Sequence, residues 1–164
     1  MAGTKALFLD RDGVINRERG EHSWAPEHLE ILPGLPEALR AAQHAGWLLV
    51  VITNQSGIGL GLYGHADVER AHSWLAGVLE KAGVGLADVY YCPHHPEQGR
   101  CLCRKPGSLL LERAIAKHGI DPHASVMIRD RERDVKAAEA AGIRGILVEP
   151  NVDLFPILKN EKLI

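Results

Sequence analysis

The chain has 164 residues, a length typical of one domain that buries roughly two thirds of its unfolded surface. Hydrophobic residues make up 46% of it and charged residues 24%, which excludes a disordered, collagen-like or coiled-coil protein. The formal net charge of -2 provides no basic field that could hold a polyanion. We therefore expect neither nucleic acid nor a membrane as a partner.

The ends and the middle of the chain show ordinary patterns. No apolar run approaches the ~18 residues of a membrane span, and the first residues lead into a short strand pattern rather than a signal-peptide core. We expect a cytoplasmic protein on this basis. Because no repeat, low-complexity segment or linker divides the chain, we expect one domain over residues 1–164. The oligomeric state is not indicated, and a monomer is compatible with the sequence.

Short apolar runs alternate with helical patterns along the chain. Each run is too short for a helix and suits a buried strand, which predicts strands at 5–10, 47–53, 89–92, 125–130 and 145–148. Patterns that stop at a glycine, a suitable end for a helix, predict helices at 35–45, 66–82, 108–118 and 132–141. This order indicates a Rossmann-like, three-layer α/β domain with helices on both faces of a mostly parallel sheet.

Three irregular stretches, 11–33, 54–64 and 93–106, each follow a predicted strand end. Ligands of open α/β sheets bind outside the carboxyl ends of the strands, so these loops are expected to surround a site. No interval between them is long enough for a separate cap domain. The loops themselves must then form the walls of the site.

Polar residues at this edge have the chemistry of phosphoryl transfer. They are Asp10 and Asp12 after the first strand, Thr53 and Asn54 at the end of the second, Lys105 before a helix, and Asp130 and Asp134 around the end of the fourth. The DxD pair alone also fits a solvated turn. The whole set fits phosphoryl transfer better, because a hard cation such as Mg²⁺ and an ammonium must neutralise a phosphate before a carboxylate attacks it.

The first two aspartates would divide hydrolysis into two steps. Attack by Asp10 on phosphorus would give an aspartyl-phosphate. Asp12, two residues further on, would protonate the leaving oxygen and later deprotonate the attacking water. The pair therefore predicts a covalent phosphatase mechanism.

Three cysteines in one short window are a poor disulfide framework and a better metal site. With one histidine they form two pairs of identical spacing, Cys92 with His94 and Cys101 with Cys103. Three thiolates and an imidazole suit a closed, structural Zn²⁺ site. His95 is an alternative ligand, and we favour His94 because it reproduces the spacing. The zinc would fix the loop that carries Arg104 and Lys105.

Four segments resemble the four motifs of the haloacid dehalogenase superfamily. They are residues 7–16, 51–58, 103–106 and the pair Asp130 and Asp134, in the expected order over nearly the whole chain. The sequence is similar to the branch of histidinol-phosphate phosphatases and D-glycero-D-manno-heptose 1,7-bisphosphate phosphatases, which have a zinc loop before the motif lysine. The resemblance implies a Mg²⁺-dependent phosphatase acting on a small phosphorylated metabolite.

The resemblance also implies a role for each motif residue. The catalytic residues would be the nucleophile Asp10, the general acid/base Asp12, and the orienting residues Thr53 and Lys105. Magnesium would be held by Asp10, Asp130 and the main-chain carbonyl of Asp12, with Asp134 in support. Substrate contacts are expected from Arg11, Asn54, Arg104 and Lys105.

Two features bear on the metal site and the substrate. Arg129 stands where the family usually has glycine, and its guanidinium could repel magnesium or contact phosphate. Residues 10–16 and 54–57 resemble the heptose enzymes, in which Arg104 would contact the second phosphate. The six residues between His94 and Cys101, and the lack of an arginine near Leu60, resemble the histidinol-phosphate enzymes. We place the heptose bisphosphate, hydrolysed at C7 in nucleotide-heptose biosynthesis, first.

Two other classes of protein share parts of this pattern. A phospho-acceptor signalling module also combines strand-end acids, a threonine and a lysine, but here the acceptor and its acid partner lie together after the first strand. Such a module also needs no zinc loop. A zinc-stabilised nucleic-acid binder is disfavoured by the net charge.

Overall fold

A five-stranded parallel sheet forms the centre of the computed structural model, which describes residues 3–164. Its strands are β1 (Ala6–Leu9), β2 (Leu48–Asn54), β3 (Asp88–Cys92), β4 (Val126–Arg129) and β5 (Arg144–Leu147). Every pairing is parallel, and the spatial order is β3-β2-β1-β4-β5. The predicted α/β class is confirmed, and the strand ends differ from the predicted ones by no more than one residue.

Helices cover both faces of the sheet. They are α1 (Leu35–His44), α2 (His65–Lys81), α3 (Leu109–His118), α4 (Glu132–Ala140) and α5 (Leu154–Asn160). The first four match the predicted helices. The fifth was not predicted, because its seven residues are too few to show a period and contain Pro156. That proline lies in the first turn, where a missing N–H costs no helical hydrogen bond, and Asp153 caps the helix by accepting from the N–H of Phe155 at 2.9 Å.

Two hydrophobic cores, one on each face, hold the layers together. Leu7 and Leu9 of β1 belong to the core under α1, α2 and α5, whereas Ala6 and Phe8 belong to the core under α3 and α4. Side chains of a strand alternate between faces, so a strand covered on both sides is apolar at every position. This explains the short uninterrupted apolar runs in the sequence.

The strand order determines where a ligand can bind. The chain moves outward from β1 to β2 and β3, then returns to the other side of β1 for β4 and β5. At such a reversal the connections diverge and leave a crevice beyond the carboxyl ends of the central strands. Within residues 3–164 no second domain covers this crevice, and no helix is long and apolar enough to cross a bilayer.

Arg129, the last residue of β4, is completely buried. Its guanidinium lies against Gly145 of β5 and donates a hydrogen bond to the main-chain carbonyl of Asp134. Burial lowers the pKa of Arg129 from its ordinary value. With no exposed surface, the guanidinium is not placed to contact a phosphate, which removes one of the two roles that the sequence left open.

The substitution Gly145→Ala tests this packing. A Cβ at Gly145 would overlap Nη2 of Arg129, so we expect a loss of about 1–3 kcal/mol in the free energy of unfolding. The control is Gly77→Ala within α2, where a Cβ meets no atom and the better helix former should add about 0.5–1 kcal/mol. Urea denaturation measures both values. Wild-type stability in Gly145→Ala would show that Arg129 lies elsewhere.

Candidate active site

A cavity of about 310 Å³ opens at the carboxyl ends of β1, β2 and β4. Its lining includes predicted site residues from all three loops and from the end of β4. These are Asp10, Asp12, Thr53, Asn54, Lys105 and Asp130. The topology therefore gathers, at one place, side chains that are up to 120 residues apart in sequence.

Lys105 is the buried cation at the floor of this cavity. Its Nζ lies 3.1 Å from Oδ1 of Asp10 and 3.3 Å from Oδ1 of Asp134. Lys105 is only 3% exposed and Asp134 is not exposed at all. The predicted nucleophile and the predicted supporting aspartate therefore share one ammonium away from water.

Three carboxylates lie close to one another at this end of the sheet. One oxygen from each of Asp10, Asp130 and Asp134 lies within 4.8 Å of the others. Burial raises the pKa of Asp10, and burial together with the charge of Asp10 raises the pKa of Asp130 to about 6. Neither carboxylate oxygen of Asp134 has a hydrogen-bond partner within residues 3–164. Hard, oxygen-seeking cations relieve such crowding, so this donor set fits Mg²⁺.

The side chain of Asp12 is held by hydrogen bonds from Arg11, its neighbour in sequence, and from Asn16. Its Oδ1 accepts hydrogen bonds from Nη2 of Arg11 at 2.8 Å, Nε of Arg11 at 3.2 Å and Nδ2 of Asn16 at 2.9 Å. Arg11 itself is fully buried and does not line the cavity. The structure therefore does not bring the Arg11 guanidinium to the cavity, because it is paired with Asp12 on the protein side.

The end of β2 presents hydrogen-bonding groups to the cavity. Asn54 accepts a hydrogen bond from the N–H of Lys105 at 3.2 Å, and its Nδ2 is buried without a partner in the described part of the chain. Thr53 accepts from Gln55 at 3.1 Å, and Gln55 accepts from Tyr63 at 3.1 Å. Asn54 thus has an unused donor beside the acids. Gln55 was missed because a glutamine after a strand carries no distinctive sequence signal.

The three cysteines and one histidine meet in the loop after β3. Cys92 Sγ lies 3.4 Å from His94 Nδ1 and 3.7 Å from Cys101 Sγ, and His94 Nδ1 lies 3.2 Å from Cys103 Sγ. Ligands of a tetrahedral Zn²⁺ site are about 3.4–3.8 Å apart, and the sulfurs of Cys92 and Cys103, 2.9 Å apart, lie closer together than that. His95 is turned away and accepts a hydrogen bond from the N–H of Glu97. The four predicted ligands, including His94, are therefore brought together.

The arginines at the site differ from the predicted ones. Arg104 directs Nη2 towards the carbonyl of Gly99 at 3.4 Å and lines a separate hollow beside Pro106. The structure therefore does not bring Arg104 to the cavity. Arg131 and Arg133, at the start of α4, line the cavity instead. They were missed because charged residues in the first turn of a helix usually face solvent.

The loop after β1 contributes acidic residues to the lining of the cavity. Glu18 and Glu21 line the cavity there. The N–H of Glu18 donates to Oδ1 of Asn151 at 2.7 Å, and the N–H of Asn151 donates to the carbonyl of Gly13 at 2.8 Å. We call Glu18 and Glu21 the acidic wall of the cavity and Arg131 and Arg133 its basic wall, and the acidic wall is tied to the segment after β5.

Comparisons with known proteins agree with this geometry. The family model for HAD-like hydrolases, "HAD-hyrolase-like", matches residues 102–154. The D-glycero-beta-D-manno-heptose-1,7-bisphosphate 7-phosphatase of Haemophilus ducreyi is 40% identical over 148 residues, which cover 87% of this chain and 81% of the relative. The enzyme of the same name from Escherichia coli K12 is 38% identical over 162 residues, covering 94% and 84%.

A solved structure is similar as well. The D,D-heptose 1,7-bisphosphate phosphatase of B. bronchiseptica, complexed with magnesium and phosphate, superposes with a TM-score of 0.84 at 30% identity, covering 94% of this chain and 86% of that one. The chain belongs to the phosphatases of the haloacid dehalogenase superfamily. Within that superfamily, the relatives described above are heptose bisphosphate phosphatases.

Removing Lys105 tests the charge balance of the acid cluster. In Lys105→Met the buried carboxylates of Asp10 and Asp134 lose their cation, so we expect a loss of about 3–5 kcal/mol without added metal. Thermal unfolding in chelator and in Mg²⁺ measures the effect, and Mg²⁺ should stabilise the variant more than the wild type. The control is Lys117→Met, whose ion pair with Asp88 is on the surface. Equal losses in both variants would contradict this account.

Proposed function

We propose that the protein hydrolyses the C7 phosphate of D-glycero-D-manno-heptose 1,7-bisphosphate, a step of nucleotide-heptose biosynthesis. The observation that carries this proposal is similarity over most of the chain to relatives of that name, at 34% to 41% identity. A biosynthetic role of this kind would place the protein in the cytoplasm. We also propose that residues 1–164 act as one domain.

The charges around the cavity support a substrate with two phosphates. Lys105 and the free Nδ2 of Asn54 are available to the phosphate that reacts at Asp10. Arg131 and Arg133 on the basic wall are available to the phosphate that does not react, as arginine binds phosphate through paired N–H groups. Sugar hydroxyls would then face the acidic wall. The substrate would lie across the cavity with its second phosphate towards α4.

The two aspartates after β1 would carry the reaction. The Asp10 carboxylate attacks phosphorus and forms an aspartyl-phosphate while Asp12 protonates the departing sugar oxygen. Asp12, now a carboxylate, takes a proton from water, which attacks the aspartyl-phosphate and releases inorganic phosphate. Lys105 holds Asp10 in position throughout, and the Thr53 hydroxyl orients the phosphate.

Magnesium would be held by Asp10, Asp130 and the main-chain carbonyl of Asp12, with Asp134 alongside, and would neutralise the charge of the phosphate. The crowded carboxylates described above are the support for this assignment. The same crowding is the reason that Lys105 alone cannot neutralise the site. One ammonium cannot balance three carboxylates and a phosphate.

The Cys92, His94, Cys101 and Cys103 cluster would bind one structural Zn²⁺, with no position left for substrate. Its effect on the site would act through the main chain. The N–H of Arg104 lies 3.4 Å from Sγ of Cys101, and the next N–H, from Lys105, donates to Asn54. A fixed cluster would therefore fix the position at which Lys105 enters the cavity.

Histidinol phosphate is the second candidate substrate, and the short loop between His94 and Cys101 favours it. A phospho-acceptor signalling module is the candidate of another class. The relatives' names favour phosphatase activity over signalling. Continuous turnover, rather than one phosphorylation per chain, separates these two classes.

Asp10→Asn tests the covalent mechanism. The amide keeps the shape of the side chain and loses the nucleophile, so turnover of any phosphate ester should be abolished. Asp12→Asn should lower the rate by about 10²–10⁴, the usual contribution of general acid/base catalysis. Steady-state phosphate release measures both, with circular dichroism as the control for folding. Near wild-type activity in Asp10→Asn would exclude an aspartyl-phosphate.

Metal analysis tests the zinc assignment. Protein purified without chelator should contain about one zinc per chain, and Cys101→Ser should lose zinc, stability and activity together because structural zinc contributes folding free energy. His95→Ala is the matched control and should keep its zinc, since His95 lies outside the cluster. Zinc-free wild-type protein of full stability would contradict the assignment.

The ratio of kcat/KM for heptose 1,7-bisphosphate over histidinol phosphate tests the substrate. We expect the ratio to favour the bisphosphate and to fall in Arg131→Ala or Arg133→Ala, because these arginines line the cavity. Arg104→Ala, which the sequence alone would select, should change it less because its guanidinium lies outside the cavity. A preference for histidinol phosphate in the wild type would overturn the assignment.

A further inference from the structure

A buried histidine stands behind the predicted acid/base residue. His72, in the middle of α2, is 7% exposed and does not line the cavity. Its Nε2 lies 3.1 Å from Nη1 of Arg11. Nothing in the sequence motifs or in the proposed reaction uses this residue.

The contact with Arg11 determines the protonation state of His72. A guanidinium only donates hydrogen bonds, so Nε2 of His72 must accept and the imidazole must be neutral. Burial, aided by the charge of Arg11, lowers the pKa of His72 to about 3, so the ring stays neutral at ordinary pH. At ordinary pH, Nη1 of Arg11 is therefore always the donor and Nε2 of His72 always the acceptor in this contact.

The other two nitrogens of the Arg11 guanidinium have partners as well. Nη2 and Nε bond to Asp12, and Nη2 also donates to the carbonyl of Ser23. A completely buried guanidinium must have its donors satisfied, because each unpaired one is costly. Removing the acceptor at His72 would leave Nη1 without a partner. Arg11 would then be free to rotate towards a new one.

This fixed arrangement distinguishes the two oxygens of Asp12. Oδ1 takes three hydrogen bonds, from Arg11 and Asn16, that anchor it to the protein. Oδ2 has one contact from Arg11 at 3.1 Å and a long one from Gln55 at 3.5 Å. Oδ2 therefore keeps capacity for a further proton. The side chain is 26% exposed, towards the cavity.

We propose that His72 is a positioning residue for proton transfer: it fixes Arg11, and through Arg11 it holds the Asp12 carboxylate with Oδ2 directed at the leaving oxygen. The inference rests on the proposed role of Asp12 as general acid/base. It does not depend on which phosphorylated metabolite is the substrate. His72 itself exchanges no proton in the reaction.

Two amide variants separate this role from packing. In His72→Gln the side-chain oxygen reaches about as far as Nε2 and can accept from Arg11, whereas in His72→Asn it ends nearer Nδ1 and cannot. Both variants are polar and uncharged, and both remove the ring. A contact with Arg11 is the main property in which they should differ.

The readout is kcat/KM for two kinds of ester, since this ratio reports events up to departure of the leaving group. Departure of a sugar or histidinol oxygen needs a proton from Asp12, whereas 4-nitrophenolate departs without one. We expect His72→Asn to lose at least about tenfold on the better of heptose 1,7-bisphosphate and histidinol phosphate, a part of the 10²–10⁴ available to acid catalysis. On 4-nitrophenyl phosphate it should lose less than about threefold, and His72→Gln should retain wild-type values on both esters.

Two variants of the same helix serve as controls. His65→Leu removes a surface histidine that contacts Tyr91 and should leave both esters unaffected. Leu75→Ala removes a core side chain and should lower stability with equal effects on both esters. Equal losses on both esters in His72→Asn, or a His72→Gln as impaired as His72→Asn, would overturn the inference.

Asp12→Asn separates failure of this inference from failure of the proposed function. If it discriminates between the two esters while His72→Asn does not, the mechanism stands and the role of His72 is wrong. If Asp12→Asn does not discriminate, acid catalysis by Asp12 and the inference fail together. Absence of turnover of heptose 1,7-bisphosphate, with turnover of histidinol phosphate, overturns only the substrate assignment.

Discussion

Three carboxylates crowded beside one buried ammonium are the constraint on which the rest of this site depends. Oxygens of Asp10, Asp130 and Asp134 lie within 4.8 Å of one another, and Lys105 pairs with Asp10 and Asp134 where water is largely excluded, so the mutual repulsion of these acids is weakly screened. Such a cluster is stable only if the protein holds it together from outside. The two apolar cores do this by fixing the strand ends, and the loop after β3 does it by fixing the lysine.

Arg129 adds a second permanent positive charge to the same region. It lies behind the strand ends and not in the cavity, and the charges of Asp134 and Asp10 favour its ionised form against the effect of burial. The chain therefore places Lys105 at the cavity and Arg129 behind it. Lys105 can contact a ligand directly, whereas Arg129 acts on the cavity only through its charge.

Most of the fold and the positions of the acids could be predicted from sequence, because they depend on local patterns. A strand covered on both faces is apolar throughout, and the polar residue that ends it lies at the ligand edge whatever the rest of the chain does. The direction of long side chains could not be predicted in this way. Arg11 lies between two predicted catalytic acids, yet it turns inwards because an acceptor on α2, distant in sequence, is available to it.

The orientation of Arg104 and the presence of α5 also could not be predicted from local sequence. The orientation of Arg104 depends on how the Cys-His loop folds back towards Gly99, which spacing alone does not determine. The short α5 helix is stabilised by burial of Leu154 and Leu158 in the core beside α1 rather than by its own periodicity. In each case tertiary contacts decide a feature that local sequence leaves open.

The hydrogen bond between Glu18 and Asn151 joins the acidic wall of the cavity, in the loop after β1, to the segment after β5. Asn151 adopts a positive φ of 65°, a conformation that asparagine tolerates better than most residues, and from there it bonds to both Gly13 and Glu18. The β5–α5 connection thereby helps to hold the acidic wall in place. Substitutions in this connection could thus alter the shape of the cavity through a residue, Asn151, that does not line it.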